Sequence, residues 1–451
     1  MSRVIITVGP APDGKLCFHV RRAPIPPADL MPVELACTVA QLPTGKPPPP
    51  PNGWVRDYGK RLWSVLIKHP EAQRALTNAV DGPPGQVQSV MFDLQATQAE
   101  QFNWEMLCDD RDRFLALEHA PIGRIAEERV DQAGSPPVFD GELRVTAVLS
   151  ALGAAAEQEW TGLRGAMLAA RAAGLRVTLR VIAGEDDLFQ KISTVATDDP
   201  DLRVEALPDR GFDLQRQIIA GRPHILHFFC HGTADQGQPR LHLATAQDFE
   251  RREEDSTATP SVTLHLDRLQ SLLAPNGVWL VVLNCCEGGK STEEVYSLAH
   301  SLAAAGVPAA LGMRESIQAV TAYEFSRVFY LELFDSLGRL LAPPAAGTVN
   351  REIDWAHVLS APRAALVESN PADDATTSGE WTLPVLYTRS GVFTVQISAA
   401  PAAVPAPPDP AAAENKVTRA ILEGLLNRLP PDTPPDAIAE LRRIAAGEVP
   451  A

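Results

Sequence analysis

The chain has 451 residues, room for about three domains and ample for a well-buried core. Hydrophobic residues make up 45% and charged residues 21%, a globular rather than a disordered balance. With 40 Lys+Arg against 56 Asp+Glu the net charge is −16, which argues against bulk binding of nucleic acid or an anionic membrane. An N-terminal α+β region is expected over residues 1–135. It opens with a strand at Val4–Val8, passes through the exposed proline run Pro47–Pro51, and continues in a helical pattern from Trp54 to Val80. In that pattern Trp63, Leu66 and Ile67 share one face. A strand at Val87–Leu94 and the segment Phe102–Ile125 close the region.

From Leu143 the pattern changes to alternating strands and helices. Strands are predicted at Leu143–Leu149, Leu175–Ile182, Leu202–Leu207, His224–Phe229, Val278–Leu283 and Pro308–Gly312. Helices are predicted over 155–173, Asp186–Ile192, Asp213–Ala220, 292–305, Glu315–Leu337 and Asp354–Glu368, several of them stopped by a glycine such as Gly174 or Gly306. The charged stretch 246–260 reads as a solvated loop, and Leu383–Tyr387 and Val392–Ile397 as closing strands. The alternation implies a mostly parallel β-sheet flanked by helices, an α/β fold, and the unbroken apolar run VWLVVL fits a strand buried on both faces. Residues 398–413 form a Pro/Ala-rich linker, and 414–451 a short amphipathic helical segment that buries little surface alone.

No run approaches the ~18 apolar residues of a membrane span, and the start MSRVIITVGPAPDGK lacks the apolar core of a signal peptide. Six cysteines in so long a chain do not make a disulfide framework. A reducing, cytoplasmic setting is therefore expected.

The chemistry-bearing residues follow two of the buried strands: HILHFFCHG ends in Cys230-His231-Gly232, and VWLVVLNCCEGG ends in Asn284-Cys285-Cys286-Glu287-Gly288. Neighbouring parallel strands bring such ends to one sheet edge, where an imidazole can activate a thiol. The glycines leave backbone N–H groups free to face a carbonyl oxygen. The segment N-C-C-E-G, 55 residues after His231, occupies the frame of the caspase signature, whose histidine lies about 50 residues upstream. That frame selects Cys286 as nucleophile and reads Cys285, like Cys230, as core. His224 and His227 read as buried strand histidines. A zinc site from His227, Cys230, His231, Cys285 and Cys286 is the weaker alternative, because structural zinc sites are built on loop knuckles rather than strand ends; no metal is expected. No G-x-G-x-x-G or G-x-x-x-x-G-K-[ST] follows any strand, which excludes the common nucleotide-binding signatures.

These residues resemble the CHAT peptidases, a branch of the caspase-like cysteine peptidases of clan CD, over residues 141–397. HILHFFCHG is similar to that family's strand and His-Gly; LNCCEGG to its Leu-Ser-Ala-Cys-Glu-Thr-Gly; SLAHSLAAAGVPAALGM, AYEFSRVFYLEL and WTLPVLY to the elements that follow. NWEMLCDDRDRFLALEHAPIGR resembles the segment preceding such domains. The resemblance implies a cysteine endopeptidase without a cofactor, with His231 as general base, Cys286 as nucleophile, and the N–H groups of Gly232 and Cys286 as oxyanion hole. Asn284 stands where relatives that cut after basic residues often carry an acid; Asp235, Glu287 and Glu315 are candidate pocket acids, and Arg314 would favour an acidic side chain. The resemblance further implies a bacterial defence or programmed-cell-death setting, a dedicated protein substrate, and an activating or adaptor protein received by the C-terminal helices. A catalytically inactive caspase-like scaffold is the alternative function.

Overall fold

The computed structural model describes residues 3–10, 15–23, 35–38, 53–68, 70–82, 88–126, 136–235, 238–285, 295–315, 318–369, 374–399 and 443. The expected linker and the 414–451 segment, Arg443 apart, lie outside them, as does the Pro47–Pro51 run.

The first part of the chain contributes strands β1 (Arg3–Pro10), β2 (Lys15–Ala23) and β3 (Leu35–Thr38), helices α1 (Trp54–Leu66) and α2 (Pro70–Val80), then β4 (Ser89–Leu94) and β5 (Ile122–Ile125). The single helical pattern expected over 54–80 is thus two helices. Pro70 opens the second, where its missing N–H and fixed φ are tolerated. The alternating part follows as β6 (Leu143–Leu149), α3 (Glu157–Ala172), β7 (Val177–Ala183), α4 (Asp186–Ala196), β8 (Leu202–Ala206), α5 (Gly211–Ala220) and β9 (Ile225–Asp235). Then come β10 (Gln238–Leu243), α6 (Ala246–Glu254), β11 (Val262–His265), α7 (Leu266–Leu273), β12 (Leu280–Cys285), α8 (Val295–Ala304), β13 (Ala309–Met313) and α9 (Ala319–Leu341). The last elements are β14 (Thr348–Ile353), α10 (Ser360–Glu368), β15 (Pro384–Thr388) and β16 (Phe393–Ser398).

The strands of the main sheet run in the order β3-β2-β1-β4-β5-β15-β13-β12-β9-β6-β7-β8, and β10 and β11 extend it from β9. Two parallel blocks meet at one antiparallel seam. β1, β4, β5 and β15 form the first block; β13, β12, β9, β6, β7 and β8 form the second; β13 and β15 pair antiparallel between them. The mostly parallel α/β sheet read from the sequence is therefore present. Strands from the region expected as a separate N-terminal unit continue that same sheet, because β5 pairs with β15 through Tyr387↔Arg124 and Thr388↔Ile125. β16 leaves the main sheet and pairs with β14.

Strand alternation sorts the second block's side chains onto two faces. Ile225, Phe229, Leu280 and Val282 pack with α3 and α9. Leu226, Phe228, Cys230, Val281 and Leu283 pack with α5, α7 and α8. Gly174 ends α3 in the left-handed region at φ +93°, and the N–H groups of Gly174 and Leu175 bond back to Arg171 and Ala170. The stretch 246–260 is a correction. Its first half is the helix α6, opened by a capping box in which Asp248 accepts from the Thr245 N–H at 2.8 Å. Charge without a clear apolar stripe hid it.

Candidate active site

The site is built on β6, β9 and β12, adjacent parallel strands held in register by pairs such as Leu149↔Phe229 and Cys285↔Cys230. His231 does not follow the strand, as expected from sequence, but lies within it. Beyond Cys230, β9 pairs antiparallel with β10, with His231 opposite His242 and Gly232 opposite Leu241. This hairpin carries no tight-turn signature in sequence, so the strand appeared to stop early. Alternation gives His227 and His231 the face of Ile225 and Phe229. The contacts agree: His227 meets Glu159 of α3, and His231 meets the carbonyl of Leu152 in the loop that leads into α3.

The imidazole of His231 is buried, with Nε2 2.8 Å from the Leu152 oxygen. A carbonyl only accepts, so Nε2 carries the proton in this contact. The loop holding Leu152 is pinned from several directions. The Ser150 hydroxyl donates to the Ala244 carbonyl at 2.7 Å, the Tyr323 hydroxyl of α9 donates to the Ala155 carbonyl at 2.6 Å, and the Ala156 N–H donates to Glu185 at 3.3 Å. Burial pushes the Glu185 carboxyl up, against the pull of that N–H.

On β12, Asn284 is fully buried. Its Nδ2 donates to Glu159 Oε1 at 3.1 Å, Ser326 Oγ at 2.9 Å and the Ala322 carbonyl at 3.3 Å. Its amide is thus engaged in a buried polar cluster with α3 and α9. Cys286 and Glu287 lie outside the described residues, as does the side chain of Cys285. Cys230 is buried on the opposite face from His231, so the described members of the alternative zinc set divide between two faces. Among the described residues no group of three or more His, Cys, Asp or Glu is arranged to hold a metal.

Asp235 ends β9, opposite Gln238 in the hairpin. Arg314 and Glu315 follow β13 and are half-buried. The Arg314 guanidinium turns to the first block, donating to the Phe102 carbonyl at 2.9 Å and the Gln101 carbonyl at 2.6 Å. Burial, then the nearby Arg124, hold its pKa below the usual arginine value. His224 is a core histidine: it stacks on Trp279 at 4.2 Å, and its Nδ1 accepts the Arg144 N–H at 3.2 Å. Burial, reinforced by Arg144, lowers its pKa from 6.5 to about 3.

Sequence reasoning did not single out Leu152, Glu159 or Tyr323. A backbone carbonyl leaves no signature. Glu159 did leave one, since it lies in helical register with Leu163, Ala166 and Ala170 on the buried stripe of α3, where an acid is out of place.

The CHAT domain family matches residues 56–346, beginning inside the expected N-terminal region and ending before β14. Comparison with curated proteins finds no match. Among solved structures, a chain of the Saccharomyces cerevisiae separase–securin complex is a distant likeness, with 10% identity and a TM-score of 0.33. The alignment covers 75% of this chain but only 17% of that one.

Proposed function

The chain belongs to the CHAT family, and from that premise we propose that it is a regulated cysteine endopeptidase acting through His231 and Cys286. The observation that carries the reading is the 2.8 Å contact between His231 Nε2 and the Leu152 carbonyl. With Nε2–H donated to that oxygen, Nδ1 is the nitrogen assigned to the thiol proton. Two further features support the pairing. Asn284, two residues before Cys286 in sequence, bonds to α3 and α9, and His231 to the loop that leads into α3. The register of β12 on β9 runs to Cys285↔Cys230, the residues that precede Cys286 and His231 in sequence.

In the proposed cycle the Cys286 thiol passes its proton to His231 Nδ1. The thiolate adds to the scissile carbonyl, and the N–H groups of Gly232 and Cys286 hold the oxyanion. The imidazolium then protonates the leaving amine. Water, deprotonated by the same imidazole, releases the acyl group. The cycle requires no cofactor.

For the substrate we propose a dedicated protein cut after a basic residue, read by an acid among Asp235, Glu287 and Glu315. Arg314, already donating to two backbone carbonyls, is a poor partner for an acidic side chain. Activation through a partner bound at 414–451, in a bacterial defence or cell-death system, completes the proposal.

A positional peptide library incubated with the full chain tests it. Cleavage after Lys or Arg that disappears in both Cys286→Ala and His231→Ala, with folding intact, is the expected result. Cleavage that survives either substitution would remove the dyad. The absence of cleavage, together with an inert Cys286 thiol, would favour the inactive scaffold.

A further inference from the structure

One carboxylate oxygen lies between the two strands that lead to the proposed dyad. Glu159, in the first turn of α3, is fully buried. Its Oε1 is 2.9 Å from His227 Nε2 on β9 and 3.1 Å from Asn284 Nδ2 on β12. His227 precedes His231 by four residues on the same face, and Asn284 precedes Cys286 by two. The cluster continues into α9, where Ser326 and the Ala322 carbonyl accept from Asn284 and the Tyr330 ring stands edge-on to His227 at 5.5 Å.

A fully buried carboxylate is costly unless its hydrogen bonds fix something in return. The backbone ladder already spaces β9 from β12, so strand separation needs no carboxylate. What the ladder does not fix is α3 relative to the sheet. The chain entering α3 is the loop whose Leu152 carbonyl receives His231 Nε2. We infer that Glu159 is a positioning residue: by accepting from Asn284 of β12 and lying against His227 of β9, it fixes the first turn of α3, holds the Leu152 carbonyl against His231 and so sets the imidazole's tautomer and direction. Tyr323 is the second anchor of the same loop, through the Ala155 carbonyl. The consequence for catalysis rests on the peptidase reading; the effect on the imidazole does not.

The test uses the full chain with 15N-labelled histidine, the His231 signals being identified by their loss in His231→Ala. The wild type should show the Nε2-protonated ring. Glu159→Leu, which removes the acceptor, should populate both tautomers. It should also lower kcat at least tenfold with KM within threefold, and raise the pH midpoint of Cys286 alkylation. Glu159→Gln keeps an acceptor oxygen and should restore the wild-type ring signals and most of kcat. A folded Glu159→Leu protein with wild-type ring signals overturns the inference. So does a changed P1 preference with unchanged His231 signals, which would make Glu159 a pocket residue. Should Glu159→Leu not fold, Tyr323→Phe reads the same tether: mixed tautomers support the inference, unchanged ones overturn it. If His231 responds as described but the wild type cuts no peptide, the positioning stands and the peptidase reading falls.

Discussion

At the scale of single residues, the two adjacent cysteines have separate expectations. Cys230, the register partner of Cys285, is packed in the core with α5, α7 and α8, while the proposed chemistry belongs to the face of His231 and Asn284. Cys285→Ala is therefore expected to keep at least about half of wild-type kcat/KM, a loss of under 0.5 kcal/mol in transition-state stabilisation, whereas Cys286→Ala leaves no measurable cleavage; steady-state assays on both variants check this. His224 predicts a pH effect on stability. Its pKa is 6.5 unfolded and about 3 folded, so as pH falls below 6.5 the unfolded chain takes up a proton that the folded chain refuses. The stability held above that pH is then lost by about 1.4 kcal/mol per unit until the folded value is reached. Urea unfolding at pH 7 and pH 5 should show this slope in the wild type and a shallower one in His224→Gln. Of these residues, His231 and Cys286 could be proposed from sequence because an imidazole and a thiol near buried strands are spaced as in a known frame. The Leu152 carbonyl was not legible, because any residue supplies one.

Among the secondary elements, the apolar strands and glycine-stopped helices of the second block were readable because burial on both faces leaves continuous apolar runs, as in β12. The failures have a common physical cause. β10, α6 and β11 are short, flank or include the charged stretch, and owe their form to tertiary pairing and capping rather than to a periodic stripe. Asp248 shows how much one cap can hold: it is fully buried, and a single oxygen accepts from the Thr245 N–H and from the Ser261 N–H and hydroxyl, at 2.8, 2.9 and 2.6 Å. Asp248→Ala strands those donors and is expected to cost about 2 kcal/mol or more, read as a lower urea midpoint at unchanged slope. Where β5 meets β15 within the first block, Arg124 is buried against Glu105 at 2.7 Å, and Tyr387 donates to Glu100 at 2.5 Å. Burial alone would raise the Glu105 carboxyl, yet Arg124 keeps its pKa below the usual carboxylate value. Glu105→Ala takes the closest partner from that guanidinium and leaves it the Glu100 carboxylate at 3.1 Å, and a loss of about 1.5–3 kcal/mol is expected, measurable by chemical denaturation.

Across the whole molecule, the sheet passes without a break from the first block to the second, and the site's strands β12, β9 and β6 lie side by side within the second block. A fragment beginning at residue 136 would lack β5, exposing the edge of β15 and the carbonyl-facing side of Arg314. It is expected to aggregate, whereas the full chain stays soluble, a difference that size-exclusion chromatography would show. The composition did not reveal this continuity, since proline runs mark linkers but say nothing of which strands pair. The proposed chemistry rests on one thiol, and the direct measurement is labelling of the full chain with a peptidyl electrophile carrying a basic P1 residue, followed by mass mapping of every cysteine. One label per chain, on Cys286 and lost in His231→Ala, is the predicted result; labelling of another cysteine, or labelling of Cys286 that is indifferent to His231, would contradict it.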